Sequence, residues 1–217
     1  MKSSSIGIKS IFVVVLMLTF LIPITVFAKS PFYIDFKPGI YSPQSSDLDS
    51  FDTGFNGEIA FGYRFNPNIA GEFGIGYFHT EGERTFVGGT YVGQELDVDV
   101  YPVTFTFKAI LPYKKWEFFG LGGAGVYIVS GAYDVDDWDD DDWDDWDDDD
   151  HDYDAVLGGY LGAGIHYNVT PRIFVGVEGK YLWTDKAKLK FEEFGVPHRV
   201  KFNMDGIIAT AVIGFRF

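Results

Sequence analysis

From Phe32 to Phe217 the chain alternates apolar and polar residues in segments of roughly ten residues, the two-residue period of strands with unlike faces. Eight such segments are readable, over 32–42, 54–65, 69–80, 95–111, 116–130, 155–168, 172–185 and 203–217. Gly, aromatic and β-branched residues fill them, a composition that suits strands and not helices. The connections alternate in length. Those over 66–68, 112–115 and 169–171 are short, and those over 43–53, 81–94, 131–154 and 186–202 are long. Short turns at one end and long loops at the other predict an all-β fold, an eight-stranded antiparallel up-and-down transmembrane β-barrel. With an even number of strands both termini fall at the short-turn end, expected in the periplasm.

The two faces of each segment differ in charge. In the last segment Ile207, Ala209, Ala211, Ile213, Phe215 and Phe217 share one face, and Gly206, Thr210, Gly214 and Arg216 the other. In the second, Ile59, Phe61, Tyr63 and Phe65 oppose Glu58, Ala60, Gly62 and Arg64. A lipid-facing side must stay uncharged, because Lys or Arg at mid-bilayer costs about 2–4 kcal/mol. The charged faces therefore point inward. They carry Asp35, Lys37, Glu58, Arg64, Glu72, Lys108, Glu117, Glu178, Lys180 and Arg216, five acids and five bases. A balanced inward set predicts paired charges in a narrow lumen, since eight strands enclose room for side chains or one small ligand. The fourth segment is less regular. Val98 and Val100 fall on its inward face, and Pro102 is a candidate bulge that changes the phase there.

Aromatic residues gather at two depths, as at the two headgroup levels of a bilayer. Tyr63, Phe65, Trp116, Phe118, Tyr167, Phe215 and Phe217 mark the short-turn end. Tyr41, Phe55, Tyr77, Phe78, Tyr127, Tyr181 and Trp183 mark the long-loop end. An internal echo supports the strand count. Tyr63, Pro67, Ile69 and Tyr77 recur 104 residues later as Tyr167, Pro171, Ile173 and Tyr181, each set spanning a strand, a Pro turn and a returning strand.

The N-terminus has a different pattern. Lys2 and Lys9 precede an apolar run over 11–27, and Val26-Phe27-Ala28 follows a small-x-Ala rule. This layout predicts a cleaved signal peptide over 1–28 and a barrel domain over 29–217. An uncleaved anchor is the alternative, since the run approaches the length of a span.

Composition adds one feature and removes several. The chain has no Cys, which excludes disulfides, Cys-based zinc sites and a lipid-modified N-terminal Cys. Its net charge is −15, yet the stretch 134–154, DVDDWDDDDWDDWDDDDHDYD, holds fifteen Asp and no Lys or Arg. The rest of the chain balances, 17 acids against 17 bases. No basic stripe exists to neutralise phosphates, so no nucleic-acid partner is expected. The acidic stretch falls in the third long loop, over 131–154. Its carboxylates Asp139, Asp140, Asp141, Asp142, Asp144, Asp145, Asp147 and Asp148 suit hard cations, but the Gly and Glu spacing of an EF-hand loop is missing. Three readings stay open: a solvated, self-repelling excursion, loosely bound Ca²⁺ or Mg²⁺, or recognition of a basic surface partner. Trp138, Trp143 and Trp146 favour some contact, because exposed Trp lowers solubility. No other cofactor is expected.

The ending ATAVIGFRF resembles the C-terminal signal of bacterial outer-membrane barrels, with Phe215 and a terminal Phe217. The segment GGYLGAGIHYNVTPRIFVGVEGKYLW resembles the hairpins of small eight-stranded barrels of the OmpA, OmpX, OmpW and opacity-protein type. The resemblance covers about Phe32 to Phe217. It implies a bacterial outer membrane with lipid and lipopolysaccharide as neighbours, and a barrel assembly machinery that reads Phe215 and Phe217. No peptidoglycan-binding domain is expected after the barrel. The implied role is structural or surface-interacting; the alternative is an OmpW-like passage for small hydrophobic molecules. A few such barrels modify lipid A with a His and a Ser, Asp or Glu at the outer rim. Here His79 and Thr80 stand beside Glu81 and Glu83, His198 lies in the fourth long loop, and His166 lies near a short turn. No Ser stands at a nucleophile position beside them, so no enzymatic activity is expected. Gly120–Gly125 lacks the Lys-Ser/Thr and helix of a phosphate loop.

Overall fold

A computed structural model describes residues 31–48, 51–82, 85–87, 90–92, 96–133, 152–193 and 196–217. The expected signal peptide and the carboxylates from Asp139 to Asp148 lie outside them. Twelve strands occur among the described residues: β1 (Phe32–Pro43), β2 (Gly54–Asn66), β3 (Ile69–Gly82), β4 (Thr85–Val87), β5 (Thr90–Val92), β6 (Leu96–Tyr113), β7 (Trp116–Tyr133), β8 (Asp152–Asn168), β9 (Ile173–Thr184), β10 (Ala187–Glu193), β11 (Val196–Phe202) and β12 (Gly206–Arg216). Eight close a barrel in the order β1-β12-β9-β8-β7-β6-β3-β2. The closing seam pairs β1 with β12 antiparallel, Asp35 opposite Gly214 and Ile40 opposite Ala209. No helix among the described residues is long and apolar enough to cross a membrane; the crossing is made by strands.

Local chemistry sets the short turns. Asn66 Oδ1 accepts the backbone N–H of Asn68 at 2.8 Å. Thr170 Oγ1 accepts the N–H of Ile173 at 2.9 Å. Lys114 takes φ 57°, the left-handed conformation that a two-residue hairpin turn demands. Turn 112–115 is thereby tighter than expected, with Tyr113 and Trp116 already paired.

At the other end the strands run further than the sequence pattern suggested. Ser130 pairs with Tyr153 and Gly131 with Asp152, so β7 and β8 continue into the stretch expected as loop. Two long connections carry hairpins of their own, β4–β5 and β10–β11. β4 and β5 flank Gly88-Gly89 in the sequence, a dipeptide favoured in tight hairpins.

The outer surface is an apolar belt. Phe36, Leu111 and Leu161 are 48%, 70% and 62% exposed. A soluble protein would not leave so continuous an apolar face in water, and it matches a lipid-facing band. Burial alternates along β12 without a break.

Two expectations need correction. Pro102 does not change the phase of its strand. Val98, Val100, Thr104, Thr106 and Lys108 are all buried on the inner side, and the β3–β6 register is the same on both sides of Pro102. Proline lacks an N–H, so it interrupts the ladder without adding a residue. The register shift falls instead between Arg64 and Asn66 in β2. Second, Tyr41, Phe78 and Tyr127 do not belong to the aromatic girdle. They are 0%, 0% and 2% exposed and fill the interior, Tyr41 against Phe78 at 4.5 Å between ring centres. Each shares the parity of an inward charge on its own strand, Lys37, Glu72 and Glu117 respectively.

Candidate functional site

The interior has two unlike halves. The half near the long loops is apolar. Phe78, Val98, Val100, Tyr127, Val129 and Leu182 point in from the strands. A one-turn 3-10 helix, Ser46–Leu48, brings Leu48 into the same cluster, and Phe202 and Met204 enter from the segment before β12. Tyr41 fastens this plug by donating its hydroxyl to the Met204 carbonyl at 3.0 Å.

The other half is charged. Lys37 Nζ lies 2.8 Å from Glu58 Oε1, 2.8 Å from Glu72 Oε2 and 3.8 Å from Glu178 Oε2. Lys108 Nζ lies 2.6 Å from Glu72 Oε1, 3.1 Å from Glu178 Oε2 and 3.9 Å from Asp35 Oδ2. Lys180 Nζ completes the group at 2.6 Å from Glu58 Oε2. Tyr33 donates its hydroxyl to Glu72 Oε1 at 2.8 Å. Lys108 and Lys180 also lie over the rings of Phe119 and Tyr160, at 4.6 and 5.1 Å, where the ring faces favour a cation. All seven charged side chains here are buried. A buried lysine is tolerable only where carboxylates surround it, and each of these three has at least two within 4 Å.

A second cluster closes the short-turn end. Arg64 grips Glu117 with two nitrogens, at 3.1 and 2.7 Å, the bidentate geometry that makes such pairs strong. Arg216 reaches the same carboxylate at 3.0 Å and also donates to Asn168 Oδ1. Its guanidinium lies 4.4 Å from the Phe174 ring centre. His166 is buried between Phe119 and Phe174, at 4.4 and 4.8 Å. Between the two clusters lies a cavity of about 10 Å³, lined by Tyr33, Lys108, Glu117, His166 and Phe174 among others. That is room for about one water molecule.

The ten inward charges expected from the sequence all occupy this interior, and the structure brings them into two groups. Seven form the lysine-centred group; Arg64, Glu117 and Arg216 form the second. Sequence reasoning missed the neutral partners Tyr33, Tyr160 and Asn168, and Thr106, whose hydroxyl lies 2.6 Å from that of Tyr160. Strand parity could have found them, since Tyr33 follows the same two-residue step as Asp35 and Lys37. Phe215 lies on the lipid side, 39% exposed, and Phe217 follows it at the end of the chain, ring centres 5.5 Å apart.

One polar cluster lies on the outer surface instead. It sits beyond Tyr77 and Tyr101, whose rings are 5.4 Å apart. Asp99 Oδ1 accepts the Tyr77 hydroxyl at 2.7 Å and meets His79 Nδ1 at 2.8 Å. His79 Nε2 lies 2.9 Å from Glu81 Oε1. Charged groups on the outward face place this stretch above the hydrocarbon, where water can reach them.

The sequence profile of the outer membrane protein beta-barrel domain matches residues 12–202. Among solved structures, the chain is similar to Neisserial surface protein A, with 15% identity over 88% of this chain and 100% of that one and a TM-score of 0.55. It is also similar in fold to the outer membrane protein OprG from Pseudomonas aeruginosa, at 14% identity, covering 87% and 97%, with a TM-score of 0.57. A major outer membrane protein from Thermus thermophilus gives 14% identity, 86% and 98% coverage, and a TM-score of 0.57. No curated protein matches the chain. Identities this low support the fold alone. With the profile covering most of the chain, and with a closed barrel, apolar belt and charged interior, the protein belongs to the outer-membrane β-barrel family and resides in the bacterial outer membrane.

Proposed function

We propose that this barrel is a sealed scaffold that presents its long-loop end as an interaction surface, and is not an aqueous channel. The observation that carries this reading is the filled interior. An ion crossing it would have to part buried lysine–carboxylate pairs and then pass the apolar plug. Both steps are costly in a low-dielectric core. The short turns and both termini face the periplasm in this reading, and the long loops face outward. Phe215 and Phe217 serve as the signal for the assembly machinery.

Planar-bilayer recording tests the proposal. The refolded full-length protein should give a quiet baseline under applied voltage. Reproducible single-channel steps would refute the sealed scaffold.

Passage of small hydrophobic molecules is the second reading. It draws support from the apolar half of the interior and from the break in the β3–β6 ladder at Pro102. The side chains that make that half apolar also fill it, so the scaffold is the better reading. A lipid-modifying enzyme has less support, because no Ser stands at a nucleophile position beside His79.

In this reading the acidic stretch over 134–154 is assigned to the same outward side. Dense carboxylates attract counterions, and we take loosely held Ca²⁺ or Mg²⁺ on Asp139–Asp142, Asp144, Asp145, Asp147 and Asp148 as its role. Calorimetric titration with Ca²⁺ should show heat that is much reduced when 134–151 is replaced by a Gly/Ser stretch of equal length. Equal heats would exclude that role.

A further inference from the structure

We propose that His79, Glu81 and Asp97 form a binding site for a divalent ion of the Zn²⁺ class, on the outer face of the barrel at its long-loop rim. One ligand atom from each of these residues lies within 4.8 Å of the others. A tetrahedral ion with bonds of about 2.0–2.2 Å places its ligand atoms about 3.3–3.6 Å apart. Side-chain rotation would have to bring the three to that spacing, and Glu81 has the freedom for it at 71% side-chain exposure.

The strand register accounts for that proximity. Glu81 stands directly opposite Asp97 across the β3–β6 ladder, next to the pair His79 and Asp99. Like charges directly opposite one another on a sheet are destabilising. A divalent ion held by both carboxylates would lessen any such repulsion.

The surroundings of the imidazole fit the same purpose. Asp99 holds Nδ1 at 2.8 Å and is itself held by the Tyr77 hydroxyl at 2.7 Å. A carboxylate behind a ligating histidine fixes the ring's orientation and tautomer and strengthens it as a ligand. Nε2 faces Glu81 at 2.9 Å, and the ion would take the place of that contact with both groups as its ligands. An imidazole together with two carboxylates favours Zn²⁺ and its neighbours over Ca²⁺ and Mg²⁺, which prefer all-oxygen shells. Three protein ligands leave a fourth position open to water or to an anionic group at the membrane surface. This site differs from the acidic third loop in its residues and its chemistry, and it does not depend on the sealed interior.

The test uses the refolded full-length protein in detergent with excess CaCl₂, which occupies all-oxygen sites. Calorimetric titration with ZnCl₂ should show one saturable event of unit stoichiometry. His79→Ala and Asp97→Asn should each abolish it, and Asp99→Asn should weaken it by about 10–100-fold. His151→Ala and His198→Ala should leave it unchanged. Co²⁺ in place of Zn²⁺ should give visible absorption bands that vanish in His79→Ala. Each variant is compared by its heat-dependent gel mobility, so that loss of folding is not read as loss of the site. Absence of the event in the native protein, or its survival in His79→Ala, would overturn the proposal. So would its loss in His151→Ala or His198→Ala.

Discussion

Lys37→Met should cost the barrel about 3–5 kcal/mol, the usual penalty for removing one partner of a buried ion pair. The reason is geometric. Lys37 Nζ sits within 4 Å of Glu58, Glu72 and Glu178, on three strands other than its own. All four side chains are nearly inaccessible to water. Without the ammonium, Glu58 keeps Lys180 and Glu72 keeps Lys108, but four carboxylates then share two lysines. Urea unfolding in vesicles, followed by the gel-mobility difference between folded and unfolded protein, should show a lowered midpoint or no folded band. The compensated variant Lys37→Met with Glu72→Gln removes one acid with the base and should recover part of the loss, because neighbouring sites in one network are not additive. A Lys37→Met barrel with the native midpoint would mean that the network is not needed for folding.

Gly214→Val should be comparably damaging, through space instead of charge. Gly214 lies on β12 directly opposite Asp35 on β1 and Phe174 on β9. A side-chain carbon there would fall within the Phe174 ring and against Asp35 Oδ1. Phe174 is buried and also stacks on His166 and Arg216, so its ring has nowhere to go. Overpacking of this kind costs about 1–3 kcal/mol and sometimes more, and here it falls on the seam that closes the barrel. Gly179→Ala is the matched control. It lies on the outer face of β9 with nothing within 4 Å of the added carbon. It should be neutral or stabilising by about 0.4–1 kcal/mol, as substitutions that restrict only the unfolded chain are. Equal midpoints for the two variants would remove the close-packing account of Gly214.

The legible part of the site is the part that obeys local rules. Every strand alternates, so a charged residue marks one face and its neighbours two positions away share it. That step placed Asp35 beside Lys37 and Glu178 beside Lys180 on inward faces. It would also have placed Tyr41, Phe78 and Tyr127 inside, had parity outweighed the expectation that aromatics near a strand end meet lipid. The outer apolar plug was harder to read. Leu48 comes from a connection with no alternation to follow, Phe202 ends β11, and Met204 precedes β12, whose start the sequence pattern set too early. The hairpin β10–β11 alternates as well, as in Lys188-Leu189-Lys190-Phe191, but it lies in a stretch expected as a long loop.

Partnership between charges was not legible at all. Glu58 from β2 meets Lys180 from β9, 122 positions away. Glu117 gathers Arg64 and Arg216 from positions 53 and 99 residues away. The rim cluster joins His79 to Asp99 only because the β3–β6 register sets them opposite each other. Alternation is a property of one strand, and it decides inside from outside, the number of crossings and the balance of inward charge. Which inward charges touch depends on stagger and closure, which belong to the whole barrel. The sequence alone therefore settled that this chain crosses a membrane as strands with a charged lining. Only the closed structure decided that the lining pairs into two charged groups, that apolar side chains fill the other half of the lumen, and that a histidine and two carboxylates meet at the rim.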